Sequence, residues 1–174
     1  MQIMQNIILI GMPAVGKSTI GVLLAKALGF SFIDTDLIIQ QDTGQLLQDI
    51  IDKDGLDAFC AAEEHAICSV TAERNSVIAT GGSAVYSRKA MLHLKKHGVV
   101  YYLRISTGEL KKRLSNIKTR GIAMHPGETI EDVFTQRAEL YAEYADCTVE
   151  CEGKSAEDTV AEIFGYHKTI DIVD

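Results

Sequence analysis

Lys17 and Ser18 close an eight-residue run, Gly11-Met12-Pro13-Ala14-Val15-Gly16-Lys17-Ser18, whose spacing G-x-x-x-x-G-K-[ST] is that of a phosphate-cradling loop. The apolar run Asn6 to Ile10 ahead of it reads as a buried strand. Ile20, Leu23, Leu24, Ala27 and Leu28 behind it repeat at helical spacing until Gly29. Gly11 and Gly16 let successive N–H groups turn toward phosphate oxygens at the positive end of the new helix. Ala14, Val15, Gly16 and Thr19 belong to the same cradle. Lys17 would bridge β- and γ-phosphates, and the Ser18 hydroxyl would hold Mg²⁺. The run predicts a nucleoside triphosphate site, with ATP and Mg²⁺ as cofactors.

Two further groups of residues could act beside that loop. Asp34 and Asp36 follow the apolar segment Ser31-Phe32-Ile33, and as residues two apart on a strand they are expected to share a face. One would organise Mg²⁺ through its water shell, and the other would take the proton of an attacking hydroxyl. Gly81-Gly82-Ser83 follows Ser76 to Ala79, and two glycines at a strand end let a ligand approach the backbone.

The elements that must position these residues alternate. Strands are expected at 6–10, 31–33, 76–79, 99–103 and 147–151. Helices are expected over 46–51, 58–72, 87–97 and 129–145, with Ser106 and Glu109 as a capping box for another and Ser155 capping the last. This is the pattern of an α/β domain: an open parallel sheet with helices on both faces, binding ligands at the carboxyl ends of its strands. Lys111, Lys112, Arg113, Lys118 and Arg120 surround a stretch of weak periodicity ending at His125-Pro126-Gly127, and 112–127 is expected to be a mobile, cation-bearing lid.

Composition sets the frame. At 174 residues, 47% hydrophobic and with two prolines, the chain is expected to form one domain, 1–174. No run of about 18 apolar residues predicts a membrane span, and the start lacks the pattern of a signal peptide. A net charge of −7 argues against nucleic acid as the main partner. Cys60, Cys68, Cys147 and Cys151 make no C-x-x-C pair and are expected to be buried thiols in a reducing cytosol. A cytoplasmic monomer acting on a small hydroxylated molecule is the expectation.

In order, the phosphate loop, Asp34-Thr35-Asp36, Phe59-x-x-x-Glu63, Ala79-Thr80-Gly81-Gly82, the basic lid and Arg137-x-x-x-Tyr141 resemble the shikimate kinase family over nearly the whole chain. The resemblance implies a P-loop kinase fold with a five-stranded parallel sheet, and ATP-dependent phosphorylation of shikimate. It implies that Asp36 is the base, that Asp34 supports Mg²⁺, and that Gly81, Gly82 and Arg137 hold the substrate. Arg120 would reach the phosphates from the lid, and Arg113 would contact the nucleotide.

Four positions depart from the family pattern. Cys60 stands where the family has the Arg of F-R-x-x-E, a second clamp on the substrate carboxylate. Its loss implies about 1.5–3 kcal/mol, on the order of 10- to 150-fold in affinity. Without it a buried Glu63 is expected to pair with Arg137 or a lysine, and Lys53 is the nearby cation that could compensate. Arg120-Gly121-Ile122-Ala123 replaces R-P-L-L, Ser83 replaces a third glycine, and Ala14 replaces a loop glycine, which is tolerable at negative φ. Cys60 also leaves room for a sugar-acid or polyol kinase on the same scaffold. A non-catalytic ligand sensor is a further alternative, disfavoured by the intact Lys17, Ser18, Asp34, Asp36 and Arg120.

Overall fold

The sheet runs along five short apolar segments, β1 (Asn6–Ile10), β2 (Ser31–Asp34), β3 (Ser76–Ala79), β4 (Gly98–Arg104) and β5 (Cys147–Glu150), in the order β2-β3-β1-β4-β5. All pairings are parallel. The computed structural model describes residues 5–71, 75–115 and 122–170. The central strand β1 is buried along its whole length, as an unbroken Ile-Ile-Leu-Ile run requires when both faces are covered.

Around the sheet lie α1 (Lys17–Leu28), α2 (Thr35–Thr43), α3 (Leu47–Asp54), α4 (Leu56–Ser69), α5 (Arg88–His97), α6 (Thr107–Ser115), α7 (Ile130–Tyr144) and α8 (Ala156–Ile170). Right-handed crossovers put the β1–β2 connection on one face and the β2–β3, β3–β4 and β4–β5 connections on the other. The packing agrees: α1 lies against α8, and α4 against α5. Chain direction therefore switches between β1 and β3, and the crevice at their carboxyl ends is where a ligand belongs. The phosphate loop and Gly81-Gly82 both open there.

A second, smaller core of Ile39, Ile50, Phe59, Ala66 and Ala123 ties α2, α3 and α4 into a unit beside the crevice. Phe59 anchors α4 in it, which fixes the direction of Cys60 and Glu63 on the same helix.

Several expectations need correction. Residues 35–43 form the helix α2, whose apolar periodicity is slight because few of its residues are buried. Only half of the Ser106 capping box forms: Ser106 Oγ accepts from the Glu109 N–H, while the Glu109 carboxylate turns to Arg113. Complete boxes are Thr129 with Asp132 at the start of α7 and, at the expected cap of the last helix, Ser155 with Asp158 before α8. The expected lid begins inside a helix, since residues 112–115 close α6. Arg120 and residues 116–121 lie outside the described residues. Of the four free cysteines only Cys151 is buried; the others are partly exposed.

Candidate active site

The phosphate loop joins β1 to α1, and its glycines do what the motif demands. Gly16 sits at φ 103°, a backbone that an L side chain resists, and caps the helix whose first N–H groups face the crevice. Lys17 is nearly buried, and its Nζ donates to the carbonyls of Gly11 (2.7 Å) and Met12 (2.9 Å). The ammonium is thus held over the loop by its own backbone carbonyls. Ala14 does not keep a negative φ as expected: it lies at 66°. The loop demands that conformation from whatever residue stands there, at a cost to alanine of about 1–2 kcal/mol.

Asp34 ends β2, and its carboxylate accepts from the Ser18 hydroxyl at 2.7 Å and from the Asp36 N–H at 3.0 Å. It is the N-cap of α2. Asp34 and Asp36 do not share a strand face, because the chain turns helical at Thr35. Nor does β2 adjoin β1, since β3 lies between them. Asp36 reaches the crevice from the first turn of α2, where its Oδ1 lies 3.0 Å from the place a Cβ on Gly81 would take.

Gly81 and Gly82 leave no room for side chains. A Cβ on Gly81 would lie 2.0 Å from Glu63 Oε1, and one on Gly82 would meet Pro13 Cδ at 2.6 Å and Arg137 Nη1 at 3.2 Å. The glycine turn is therefore wedged between the phosphate loop on one side and Asp36, Glu63 and Arg137 on the other. Tyr141, buried and stacked on Tyr102, donates its hydroxyl to the Gly82 carbonyl and pins the turn. Burial keeps that phenol protonated far beyond neutral pH.

Arg137 is not a solvated helix residue: it is 1% exposed. Its Nε donates to the Tyr86 hydroxyl at 3.2 Å, its guanidinium lies 5.1 Å from the Tyr86 ring, and Nη2 donates to the Ala123 carbonyl. Nη1 has no hydrogen-bond partner among the described residues. A buried guanidinium N–H without an acceptor is costly to maintain, and it lies beside Gly82, 3.2 Å from the place a Cβ there would take.

Glu63 is 2% exposed and makes no ion pair with Arg137 or a lysine among the described residues. The expected compensating cation is absent too: the Lys53 side chain is 65% exposed and turns to Asp49. The hydrogen bond to Glu63 comes instead from the Ser83 hydroxyl, at 2.5 Å on Oε2. Burial, with Asp36 adding repulsion, raises the Glu63 carboxyl to about 7 against the opposing pull of Ser83, Arg137 and Lys17. Cys60, one turn before Glu63, has its thiol pushed up by burial and by the Glu63 carboxylate, so it stays neutral.

Arg113, from α6, donates Nη1 to the Val15 carbonyl at 3.1 Å and Nε to Glu109 at 2.9 Å, and so stands beside the phosphate loop. Lys17, Ser18, Asp34, Asp36, Gly81, Gly82, Arg137 and Arg113 are thus gathered around one crevice, and Cys60 lies one turn of α4 from Glu63. The parts that sequence reasoning missed are Ser83 as partner of Glu63, Tyr86 as platform for Arg137, and Pro13 as the wall between loop and pocket. A serine directly after paired glycines was the signal available for the first.

Comparison with known proteins supplies the family. The shikimate kinase family model matches residues 13–167. The chain belongs to the shikimate kinase family. It is 38% identical over 162 residues to a shikimate kinase of Thermodesulfovibrio yellowstonii, covering 92% of this chain and 93% of the relative. It superposes on the shikimate kinase of Acinetobacter baumannii in complex with shikimate with a TM-score of 0.88 at 29% identity, covering 97% and 95% of the two chains. For the shikimate kinase of Aquifex aeolicus the TM-score is 0.79 at 31% identity, covering 91% and 94%.

Shikimate kinases are ATP-dependent and use Mg²⁺, and this chain is an ATP-dependent kinase of that family with the same five-stranded P-loop fold. Its residues fit both. The Ser18 hydroxyl, oriented by Asp34, has lone pairs left for a metal, and the Lys17 ammonium is held where phosphate oxygens could replace loop carbonyls. No helix among the described residues is long and apolar enough to cross a membrane.

Proposed function

We propose that this chain transfers the γ-phosphoryl group of ATP to a hydroxyl of shikimate, giving shikimate 3-phosphate for aromatic amino-acid biosynthesis. The observation that carries this reading is how closely Pro13 approaches Gly82, where an added Cβ would lie 2.6 Å from Pro13 Cδ: the loop that would hold the terminal phosphate adjoins a pocket holding one buried arginine and two carboxylates. Arg137 Nη1 suits the carboxylate of shikimate, and Asp36 suits the hydroxyl that attacks.

In this reading Asp36 accepts the hydroxyl proton as the oxygen bonds to the γ-phosphorus and the bond to the ADP oxygen breaks. Lys17 neutralises charge growing on the transferred group, and Gly81 and Gly82 let the ring lie against backbone. Ser18, with Asp34 behind it, would hold Mg²⁺, whose positive charge would help offset that of the phosphates. Arg113 flanks the nucleotide, and Arg120 would reach the phosphates from the lid once it closes. A monomer in the cytoplasm, with no nucleic acid as partner, suits the net charge of −7.

Arg137 would hold the shikimate carboxylate without the second arginine of the family pattern. Cys60→Arg should therefore lower the KM for shikimate by roughly one to two orders of magnitude. Steady-state ADP release over a range of shikimate concentrations measures it. An unchanged KM would mean that position 60 does not face the acceptor. For an acceptor without a carboxylate, the same change should reduce activity by adding an unsatisfied cation.

Glu63 makes the pocket sensitive to pH. With its carboxyl raised to about 7, Glu63 is neutral below that pH, where Asp36 is the remaining anion opposite Arg137. Above it a second anion opposes the substrate carboxylate. The KM for shikimate is expected to rise as pH goes from about 6 to about 8, and Glu63→Gln should flatten that rise. The sign for stability is the same. A carboxyl whose folded value lies above its unfolded one contributes most below about 4.5, and the contribution is lost as pH rises through about 7.

A further inference from the structure

Glu63 is a buried carboxylate whose two oxygens lead different lives. Oε2 accepts the Ser83 hydroxyl at 2.5 Å, and Ser83 is its one hydrogen-bond donor among the described residues. Oε1 has no partner among them and lies against Gly81, with Asp36 Oδ1 facing the same glycine. Two carboxylates flanking one glycine repel, and Glu63 would relieve that by rotating. A rotation would give up the Ser83 hydrogen bond and leave both carboxylate oxygens of a buried side chain without a donor. Ser83 is itself buried and fixed as the residue before the short 3-10 turn Ala84–Tyr86, so its hydroxyl sets the rotamer of Glu63.

The charged neighbours of Glu63 come from three elements, Asp36 on α2, Arg137 on α7 and Lys17 on α1, while the Cys60 thiol, one turn away on α4, is neutral. Position 60 is three residues before 63, on an adjacent part of the same helix face. A cation there would hold the Glu63 carboxylate by itself. A thiol cannot, and the serine hydroxyl then becomes the group on which the carboxylate depends.

We infer that Ser83 is a positioning residue for the acceptor pocket, coupled to Cys60: its hydroxyl holds Glu63 clear of the substrate because residue 60 carries no charge. This deepens the shikimate reading, on which its kinetic test rests. Ser83→Ala, which keeps the backbone and removes the hydroxyl, should raise the KM for shikimate about tenfold when assayed well above pH 7, where Glu63 is ionised with or without the hydroxyl, leaving kcat within about threefold and the KM for ATP unchanged. Ser83→Thr, which keeps a hydroxyl, should restore the KM to within about threefold of the unaltered protein. In a Cys60→Arg background, Ser83→Ala should change the KM by less than about twofold.

The Ser83 hydrogen bond favours ionised Glu63, so Ser83→Ala should also move the pH-dependent rise in KM to higher pH, a shift that mere loosening of the fold would not produce. Equal effects of Ser83→Ala in both backgrounds, or none in the Cys60 protein, would overturn the inference. Should Cys60→Arg not fold, the Ala and Thr variants decide: similar KM values for both would overturn it. Failure of the shikimate reading is separable. If the unaltered protein releases no ADP with shikimate, the titration of Glu63 followed by ¹³C NMR still tests the coupling. It should move upward on Ser83→Ala with Cys60 and stay in place with Arg at position 60.

Discussion

Lys17→Ala is expected to lower kcat by at least about two to three orders of magnitude, on the scale of removing one preorganised donor from a developing anion. Lys17 is nearly buried, and its ammonium donates to the carbonyls of Gly11 and Met12, both within the loop it serves. The apolar core around β1 does not depend on that ammonium, and the thermal midpoint should move little. Single-turnover transfer measured with saturating ATP and acceptor separates the two effects. Turnover within about tenfold of the unaltered protein would remove Lys17 from the chemistry.

Asp36→Asn should produce the second large loss, about 10²- to 10⁴-fold in kcat, the range over which a positioned base contributes. The substitution keeps the shape of the side chain and the Asp36 N–H that Asp34 accepts, so α2 and the Ser18–Asp34 contact should survive. The KM for ATP should therefore stay within about threefold. A variant with altered ATP affinity and normal kcat would make Asp36 a nucleotide ligand instead of the proton acceptor. The two variants fail in different ways: one loses the grip on phosphate, the other the activation of the hydroxyl.

The architecture was legible because its signals are local. A strand, a glycine loop and a helix announce themselves in consecutive residues, and unbroken apolar runs such as Ile7 to Ile10 need no tertiary knowledge to be read as buried strands. The phosphate-loop residues followed from the motif alone. Asp34 and Asp36 reached the crevice as expected but for a different reason, since a helix N-cap and not strand alternation aims them. That distinction rests on where β2 stops, a boundary that four residues of sequence do not define.

The pocket was harder to read because its contacts join residues distant in sequence. Glu63 meets Ser83 twenty residues later, and Arg137 meets Tyr86 and Ala123. Sequence reasoning assigned Glu63 to Arg137 or Lys53 by charge, yet charge does not say which side chain can reach. Lys53 sits on the exposed face of α3, and the buried space beside Glu63 is filled by a hydroxyl. Ala14 shows the same limit at the backbone: its sequence context permits either sign of φ, and the turn selects the positive one.

The central claim is that the crevice between β1 and β3 carries phosphoryl transfer from ATP to shikimate. ³¹P NMR of the purified protein incubated with ATP, Mg²⁺ and shikimate tests it most directly. The account predicts a new phosphomonoester resonance of shikimate 3-phosphate growing as the γ-phosphate signal of ATP declines and ADP appears, all requiring shikimate. Loss of ATP to inorganic phosphate alone, or no loss of ATP with shikimate present, would contradict it.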